Sequence, residues 1–312
     1  MPLGPGSSEL TPTMLTPPRI PARVTTVRRQ FDARAQRFAA SAALPREITR
    51  RMIERLQYIR LDPRRILDVG CGAGNARDDL LARYPKAQWT GADISERMLN
   101  SAPAAGWIQR LRSLRGSAGK VVADGGRLPI AAESIDLLFS NLMLHWHPEP
   151  HTVFPEWKRV MTVDGLLMFS CFGPDTLKEL RAAAVAALPD ARAMPFIDMH
   201  DFGDMMVASG FATPVMDAEV ITLTYASPQA LLREVRALGG NPRDDRRQAL
   251  PSGRQARNLL SALEAQRGKD GRIALTFEVA YGHAWKPQPK AAGTTITVDA
   301  LRAELATRSR AR

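Results

Sequence analysis

Between residues 64 and 173 the apolar positions come in short, nearly unbroken runs, and between the runs they recur at helical spacing. RRILDVG, AQWTGADIS, KVVADGGRLP, SIDLLFSNLML and GLLMFSCFG are the runs. Segments this short and this apolar read as strands buried on both faces. NARDDLLARY, ERMLNSA, residues 152–161 and DTLKELRAAAVAAL carry the helical period instead. Alternation of this kind predicts a parallel sheet covered on both sides, and right-handed crossovers give it a doubly wound order. GWIQRLRSLRGSAG interrupts the alternation with a basic insertion at 106–119.

The flanks follow a different pattern. Residues 27–58 read as helix in one piece or two, with Ile48, Met52, Ile53 and Leu56 on one stripe and Pro45 opening the second piece. Past the fifth strand, a helix around 202–209 ends at Gly210 and a long strand follows, PVMDAEVITLTY. The helices PQALLREVRAL and ARNLLSALEAQR then flank a basic loop, and RIALTFEVAYGHAWK returns as a strand. Two late strands around helices predict an antiparallel edge hairpin carrying a helical insertion at 228–270. The expected layout is a proline-rich disordered tail at 1–26, one domain at 27–286 and a mobile tail at 287–312.

Composition narrows the setting. Of 312 residues, 45% are apolar and 24% charged, ordinary for a globular protein. No run of about 18 apolar residues suggests a membrane span, and the N-terminus lacks a signal-peptide core. Two cysteines, Cys71 and Cys171, have no CxxC partner, so a reducing cytoplasm without disulfides or a zinc site is the simplest expectation. A net charge of +11 and a pI near 10.3 invite an acidic partner.

The loop after the first strand, from Gly70 to Asn75, spaces its glycines as G-x-G-x-G. The dinucleotide fingerprint requires G-x-G-x-x-G, and Asn75 stands where its last glycine belongs. No Gly-Lys-Ser/Thr follows, so this is no P-loop. A loop opening a helix still offers N–H groups and a positive dipole end, which suit a carboxylate as well as a phosphate. Asp68, Asp93 and Asp124 end three successive strands and should line one crevice. Asp93 is placed to accept from both hydroxyls of a ribose, and Asp124 from the exocyclic amine of an adenine. Three acids oppose phosphates. The ligand they fit is a cationic adenosyl compound with a carboxylate tail, such as S-adenosylmethionine.

LDVGCGAG, GADIS, ADGGRLP and IDLLFSNLMLHW together resemble the class I S-adenosylmethionine-dependent methyltransferases over about residues 64–173. The resemblance implies an α/β, Rossmann-like, mostly parallel seven-stranded sheet. It also implies S-adenosylmethionine as cofactor, held by Asp68, Gly70, Gly72, Gly74, Asp93, Ile94, Asp124, Gly125 and Asn141. Asn141 would face the transferred methyl.

Further markers concern the acceptor. FSCFGPDTLKELR, RRQFDARAQRFAASAALPRE, and YASPQALLREVRALGG paired with GRIALTFEVAYGHAW resemble the malonyl-acyl-carrier-protein O-methyltransferases of biotin synthesis. That similarity spans about residues 27–285. The same markers occur in a sister group, the methyltransferase-like assembly factors of respiratory complex I, one of which is associated with arginine hydroxylation. LPREITRRMIERL and the pair His145-Trp146 lean towards the sister group, as does Phe38 where the biotin family more often has tyrosine.

The first reading implies a malonyl thioester on acyl carrier protein as partner. Its carboxylate is already a nucleophile at neutral pH and needs alignment rather than a base. Arg181, matching the last residue of the family's LKELR-type segment, is the candidate for a two-pronged grip on it. Trp146 would wall the pocket, and His145 would orient an acceptor or serve as a base in the alternative chemistry. Phe31 and Phe38 are candidates for a lid over the cofactor and equally for ordinary core. Arg233, Arg236, Arg243, Arg246 and Arg247 would steer an acidic partner. RNA as substrate is disfavoured: the fourth strand ends SNLM rather than Asn/Asp-Pro-Pro-aromatic, and no RNA-binding module stands beside it.

Overall fold

The computed structural model describes residues 23–38, 43–101, 117–188, 191–245 and 252–289. The tail at 1–22, most of the 106–119 insertion, Arg246, Arg247 and the tail from 290 lie outside them. Among the described residues there are seven strands: β1 Arg65–Val69, β2 Gln88–Asp93, β3 Ser117–Val122, β4 Ile135–Asn141, β5 Met161–Phe172, β6 Ala212–Tyr225 and β7 Ile273–Trp285. They form one sheet in the order β3-β2-β1-β4-β5-β7-β6. The first five pair in parallel, while β7 runs antiparallel to both β5 and β6. The chain moves outward from β1 through β2 to β3, then crosses back to β4 on the other side of β1. That reversal leaves a crevice at the carboxyl ends of β1 and β4, where ligands bind in such sheets.

The helices among the described residues are α1 Val24–Phe38, α2 Ala43–Leu56, α3 Arg77–Arg83, α4 Glu96–Leu99, α5 Val153–Val160, α6 Lys178–Ala187, α7 Met199–Ala208, α8 Pro228–Leu238 and α9 Gly253–Glu264. The unbroken apolar runs are explained by burial on both sheet faces. Ile66, Leu137, Phe139 and Leu166 pack on one side against Ile48, Met52 and Leu56 of α2. Their neighbours Leu67, Leu138, Leu167 and Phe169 pack on the other against Phe154 and Trp157 of α5 and Phe202 of α7. Burying one such side chain contributes about 1.5–3 kcal/mol, so each strand is held from both sides. Trp157 also reaches toward the site: its indole N–H donates to the Gly125 carbonyl at 3.1 Å and pins the loop after β3.

The edge hairpin of β6 and β7 carries α8 and α9 between its strands, as the sequence pattern predicts. The expected helix over ERMLNSA shortens to the four residues of α4, opened by Ser95, whose hydroxyl accepts from the Met98 N–H at 3.1 Å. The stretch 27–58 is two helices. Arg51 and Arg55 of α2 bond Glu219 and Asp217 of β6, tying the opening helices to the far edge of the sheet.

Candidate active site

β1 ends in the glycine loop, where Gly70, Gly72 and Gly74 all adopt positive φ. The Gly70 and Cys71 N–H groups donate to the Ala92 carbonyl at 2.7 and 3.1 Å, and the Gly72 N–H donates to Asp93 Oδ2 at 2.9 Å. The Gly74 N–H donates to the Cys71 carbonyl at 2.8 Å, so four of the loop's donors are spent within the protein, and there the loop acts as a shaped wall rather than an open anion nest. Gly70 has the tightest reason to be glycine. At φ +75° a side chain is strained, and its Cβ would fall on the Met143 side chain. Gly74 stands apart from the other two glycines. It does not line the cavity, and a Cβ there would point at the Trp89 ring at 3.5 Å.

The three acids converge as expected. Asp68, Asp93 and Asp124 line one pocket at the crevice, with Gly70, Gly72, Ile94, Gly125 and Asn141. The space between its walls is about 1080 Å³, part of it open to solvent. Asp93 accepts from the Gly72 N–H with one oxygen and from the Ser95 N–H with the other, at 2.9 and 2.8 Å. Each oxygen keeps a lone pair for a ligand hydroxyl. Burial raises its pKa despite those bonds. Asp68 is buried more completely, and burial together with the neighbouring Asp93 charge pushes its carboxyl up to about 8. Its Oδ2 is buried and makes no hydrogen bond of good geometry among the described residues, although the nearby Trp89 indole N–H opposes part of the rise. Asp124 is held below the usual carboxylate range, first by its bond with His147. His147 accepts from the Glu149 N–H at Nδ1, so Nε2 carries the ring proton toward Asp124 Oδ1 at 3.3 Å.

Over this floor lies α1. Val24, Val27, Phe31 and Phe38 line the pocket from above. A latch holds the helix: the Ser95 hydroxyl donates to Asp32 at 2.6 Å, two residues past Asp93. Phe31 meets the Trp146 ring edge-on with centroids 5.3 Å apart, and His145 lies 5.0 Å from Trp146 and 4.7 Å from Phe172. This aromatic wall closes the pocket where β4 and β5 end.

His145 is fully buried, and burial lowers its pKa to about 3. It is therefore neutral at physiological pH and poorly suited to be a general base. Its Nδ1 accepts from the Phe172 N–H at 3.4 Å, which leaves the proton on a buried Nε2 without a partner among the described residues. It is a donor awaiting an acceptor. Because the fold favours the neutral ring, the unfolded chain takes up a proton below about pH 6.5 that the native chain refuses. That share of stability is complete above pH 6.5 and is lost as pH falls toward 3. Relative to His145→Gln, wild type should lose about 2 kcal/mol between pH 7.5 and pH 5. Urea midpoints of the two proteins across that range measure it.

Asn141 lines the pocket, yet its amide is committed elsewhere. Nδ2 donates to the Pro45 carbonyl at 2.9 Å and to Thr49 Oγ1 at 2.8 Å, and Oδ1 accepts from Ser170 at 2.7 Å. It fastens α2 to the ends of β4 and β5. Arg181 lies away from the cofactor pocket. It is half-buried, bonded to the Pro174 carbonyl, and lines a neighbouring cavity that shares Trp146, Phe172 and Leu238 with the first. Of the predicted basic cluster, Arg233 and Arg236 are exposed on α8, while Arg243 pairs with Asp245.

Asp32, Thr49 and His147 were not among the sequence candidates. His147 directly follows the candidate pair His145-Trp146, and Asp32 carries an i,i+4 arginine that marks an ordinary helix surface.

No lysine or arginine lines the pocket among the described residues, and three carboxyl groups do. A pyrophosphate would be repelled there. A cation fits, because the unpartnered Asp68 oxygen and the aromatic wall both favour positive charge. No cluster of metal-ligating side chains occurs among the described residues.

Residues 67–169 match a family model described as a methyltransferase domain. The chain is 43% identical over 271 residues to the malonyl-acyl-carrier-protein O-methyltransferase of Methylovorus sp. strain MP688, covering 85% of this chain and 90% of that one. It is 44% identical over 263 residues to the protein of the same name from Laribacter hongkongensis, covering 84% and 89%. Among solved structures, Haemonchus contortus phosphoethanolamine N-methyltransferase 2, determined with S-adenosylhomocysteine, shares the fold. The TM-score is 0.51 at 16% identity, over 84% of this chain and 60% of that one.

Proposed function

Because this chain belongs to the malonyl-acyl-carrier-protein O-methyltransferase family, we propose that it methylates the free carboxylate of a malonyl thioester borne on acyl carrier protein, using S-adenosylmethionine. One observation carries the cofactor assignment: three carboxyl groups and no lysine or arginine line the pocket at the sheet's switch point among the described residues. S-adenosylmethionine, when bound, supplies a methyl group made electrophilic by its sulfonium. Asp93 would accept from the ribose hydroxyls and Asp124 from the adenine amine, while Asp68 would stand beside positive charge.

The acceptor carboxylate needs orientation and the loss of some water. Phe31, Trp146 and Phe172 exclude water from the pocket wall. The Nε2–H of His145 is a donor placed to hold an acceptor oxygen in that wall, without itself taking a proton. Arg181, on the neighbouring cavity, is the guanidinium that would grip the incoming carboxylate. A charge-assisted bond of this kind contributes about 1.5–3 kcal/mol, so Arg181→Ala should lower kcat/KM for malonyl-carrier protein by about 10- to 100-fold. Arg181→Lys should restore only part of the loss, since an ammonium cannot make the two-pronged grip. Cofactor affinity should be unchanged in both. Steady-state kinetics with the carrier substrate and calorimetry with the cofactor separate the two effects.

The resemblance to enzymes of biotin synthesis gives the cellular test. Expression of the chain in a biotin-requiring strain that lacks its own malonyl-carrier methyltransferase should restore growth without biotin. Failure to rescue, together with methyl labelling of a respiratory subunit, would favour the assembly-factor reading.

A further inference from the structure

A second cavity beside the cofactor pocket is not yet absorbed by the reaction. About 1720 Å³ of space lies between its walls, part of it open to solvent. Its sides are Leu180 and Ala184 of α6, Leu232 and Val235 of α8, Leu259 of α9 and Phe277 of β7. It meets the cofactor pocket at Trp146, Phe172 and Leu238. Trp146 is the partition, fixed on several sides. Phe31 and His145 pack on its ring, and behind it lies Gly239, where a Cβ would stand 2.5 Å from the indole.

The other parts of the cavity are chemically different. Arg181, Arg192, Asn241 and Arg243 line it too, and Arg192 is exposed. The Asn241 side chain donates to the Arg192 carbonyl at 2.6 Å, and the Asn241 backbone carbonyl accepts from Gln30 of α1 at 2.9 Å. These bonds tie two loops and the lid helix into one rim. Val185 of α6, which also lines the cavity, is 72% exposed.

We propose that this cavity is the passage for the phosphopantetheine arm of acyl carrier protein, which enters at the rim of Arg192 and Val185 and brings its thioester to Trp146. The proposal rests on the carrier-protein reading above. The arm is a mostly apolar chain with two amides and a phosphodiester at its outer end. Apolar walls suit the chain, and the exposed guanidinium of Arg192 at the outer end suits the phosphodiester. Continuity with the cofactor pocket decides the direction. A thioester delivered through the passage ends at the one wall that both spaces share, and Arg181 is bonded to Pro174, two residues past shared Phe172.

The test is a cross-link that does not depend on methyl transfer. Acyl carrier protein whose arm ends in a pyridyl disulfide is mixed with Leu180→Cys enzyme. The new thiolate displaces pyridinethione and forms a disulfide to the arm. Native Cys71 and Cys171 are buried, and burial pushes both thiols well up, so they give little background. Val207→Cys, on exposed α7 and outside the cavity, is the control. Rapid cross-linking of Leu180→Cys and none of Val207→Cys is expected, and equal or absent cross-linking of Leu180→Cys overturns the passage. A second variant, Ala184→Trp, fills the cavity and should cut kcat/KM for malonyl-carrier protein at least about 50-fold, with cofactor affinity within about twofold of wild type. A folded Ala184→Trp enzyme with wild-type kinetics also overturns the passage. Cross-linking without any methyl transfer by wild type would instead overturn the carrier-methylation reading and leave the passage standing.

Discussion

Asp93→Ala should weaken S-adenosylmethionine binding at least about 100-fold, the largest loss expected from any single change in the cofactor pocket. Two effects combine. The carboxylate is the proposed acceptor for the ribose, and two charge-assisted bonds at about 1.5–3 kcal/mol each would account for the factor. It also accepts from the N–H groups of Gly72 and Ser95, so it positions the glycine loop and the start of α4. Ser95 in turn latches Asp32 of the lid helix. Asp93→Asn separates the contributions. Its amide keeps one acceptor oxygen but faces one backbone N–H with a donor, so affinity should fall to an intermediate value. Calorimetric titration of the three proteins checks the order, and an Asp93→Ala protein that binds as tightly as wild type would remove Asp93 from the site.

Asp68→Asn should have the opposite effects on stability and on binding. The fold holds this carboxyl neutral until about pH 8, while the unfolded chain ionises near the ordinary value of 3.8. A raised acid pKa therefore costs stability as pH climbs through that window. The cost grows by about 1.4 kcal/mol per pH unit. Asparagine cannot ionise and escapes it. Relative to wild type, Asp68→Asn should gain about 2 to 3 kcal/mol more at pH 7 than at pH 5 in urea unfolding without cofactor. The same change should weaken the cofactor, since a cation beside Asp68 is what draws the proton off. Wild-type binding at pH 7 should accordingly release protons, seen as heats that depend on the buffer's ionisation enthalpy. This opposed pair marks a residue kept for function at the expense of stability.

Much of this was legible in the chain itself. Ile66, Leu67 and Val69 are apolar because both sheet faces are covered, and the glycines that follow mark a turn that side chains could not make. Asp68, Asp93 and Asp124 were readable as one site because a doubly wound sheet puts successive strand ends along one crevice. The structure adds what depends on distant partners. Asn141 shares the pocket, but Pro45 and Thr49, more than ninety residues away, take its amide hydrogens. Arg181 was placed after the fifth strand by its segment, yet nothing local says on which side of Phe172 its guanidinium falls. Gly74 shares the loop's pattern and points to Trp89 instead of the cavity. His147 was hidden because its role exists only once the loop at Asp124 is folded beside it.

The most direct test uses purified enzyme, S-adenosylmethionine and malonyl-acyl carrier protein, with the product read by intact mass and then by mild alkaline hydrolysis. One methyl group should be added per malonyl chain, it should leave under alkali as expected of an ester, and acetyl-carrier protein, which has no free carboxylate, should gain none. A malonyl-carrier protein that stays unmodified, or equal methylation of the acetyl form, would contradict the account.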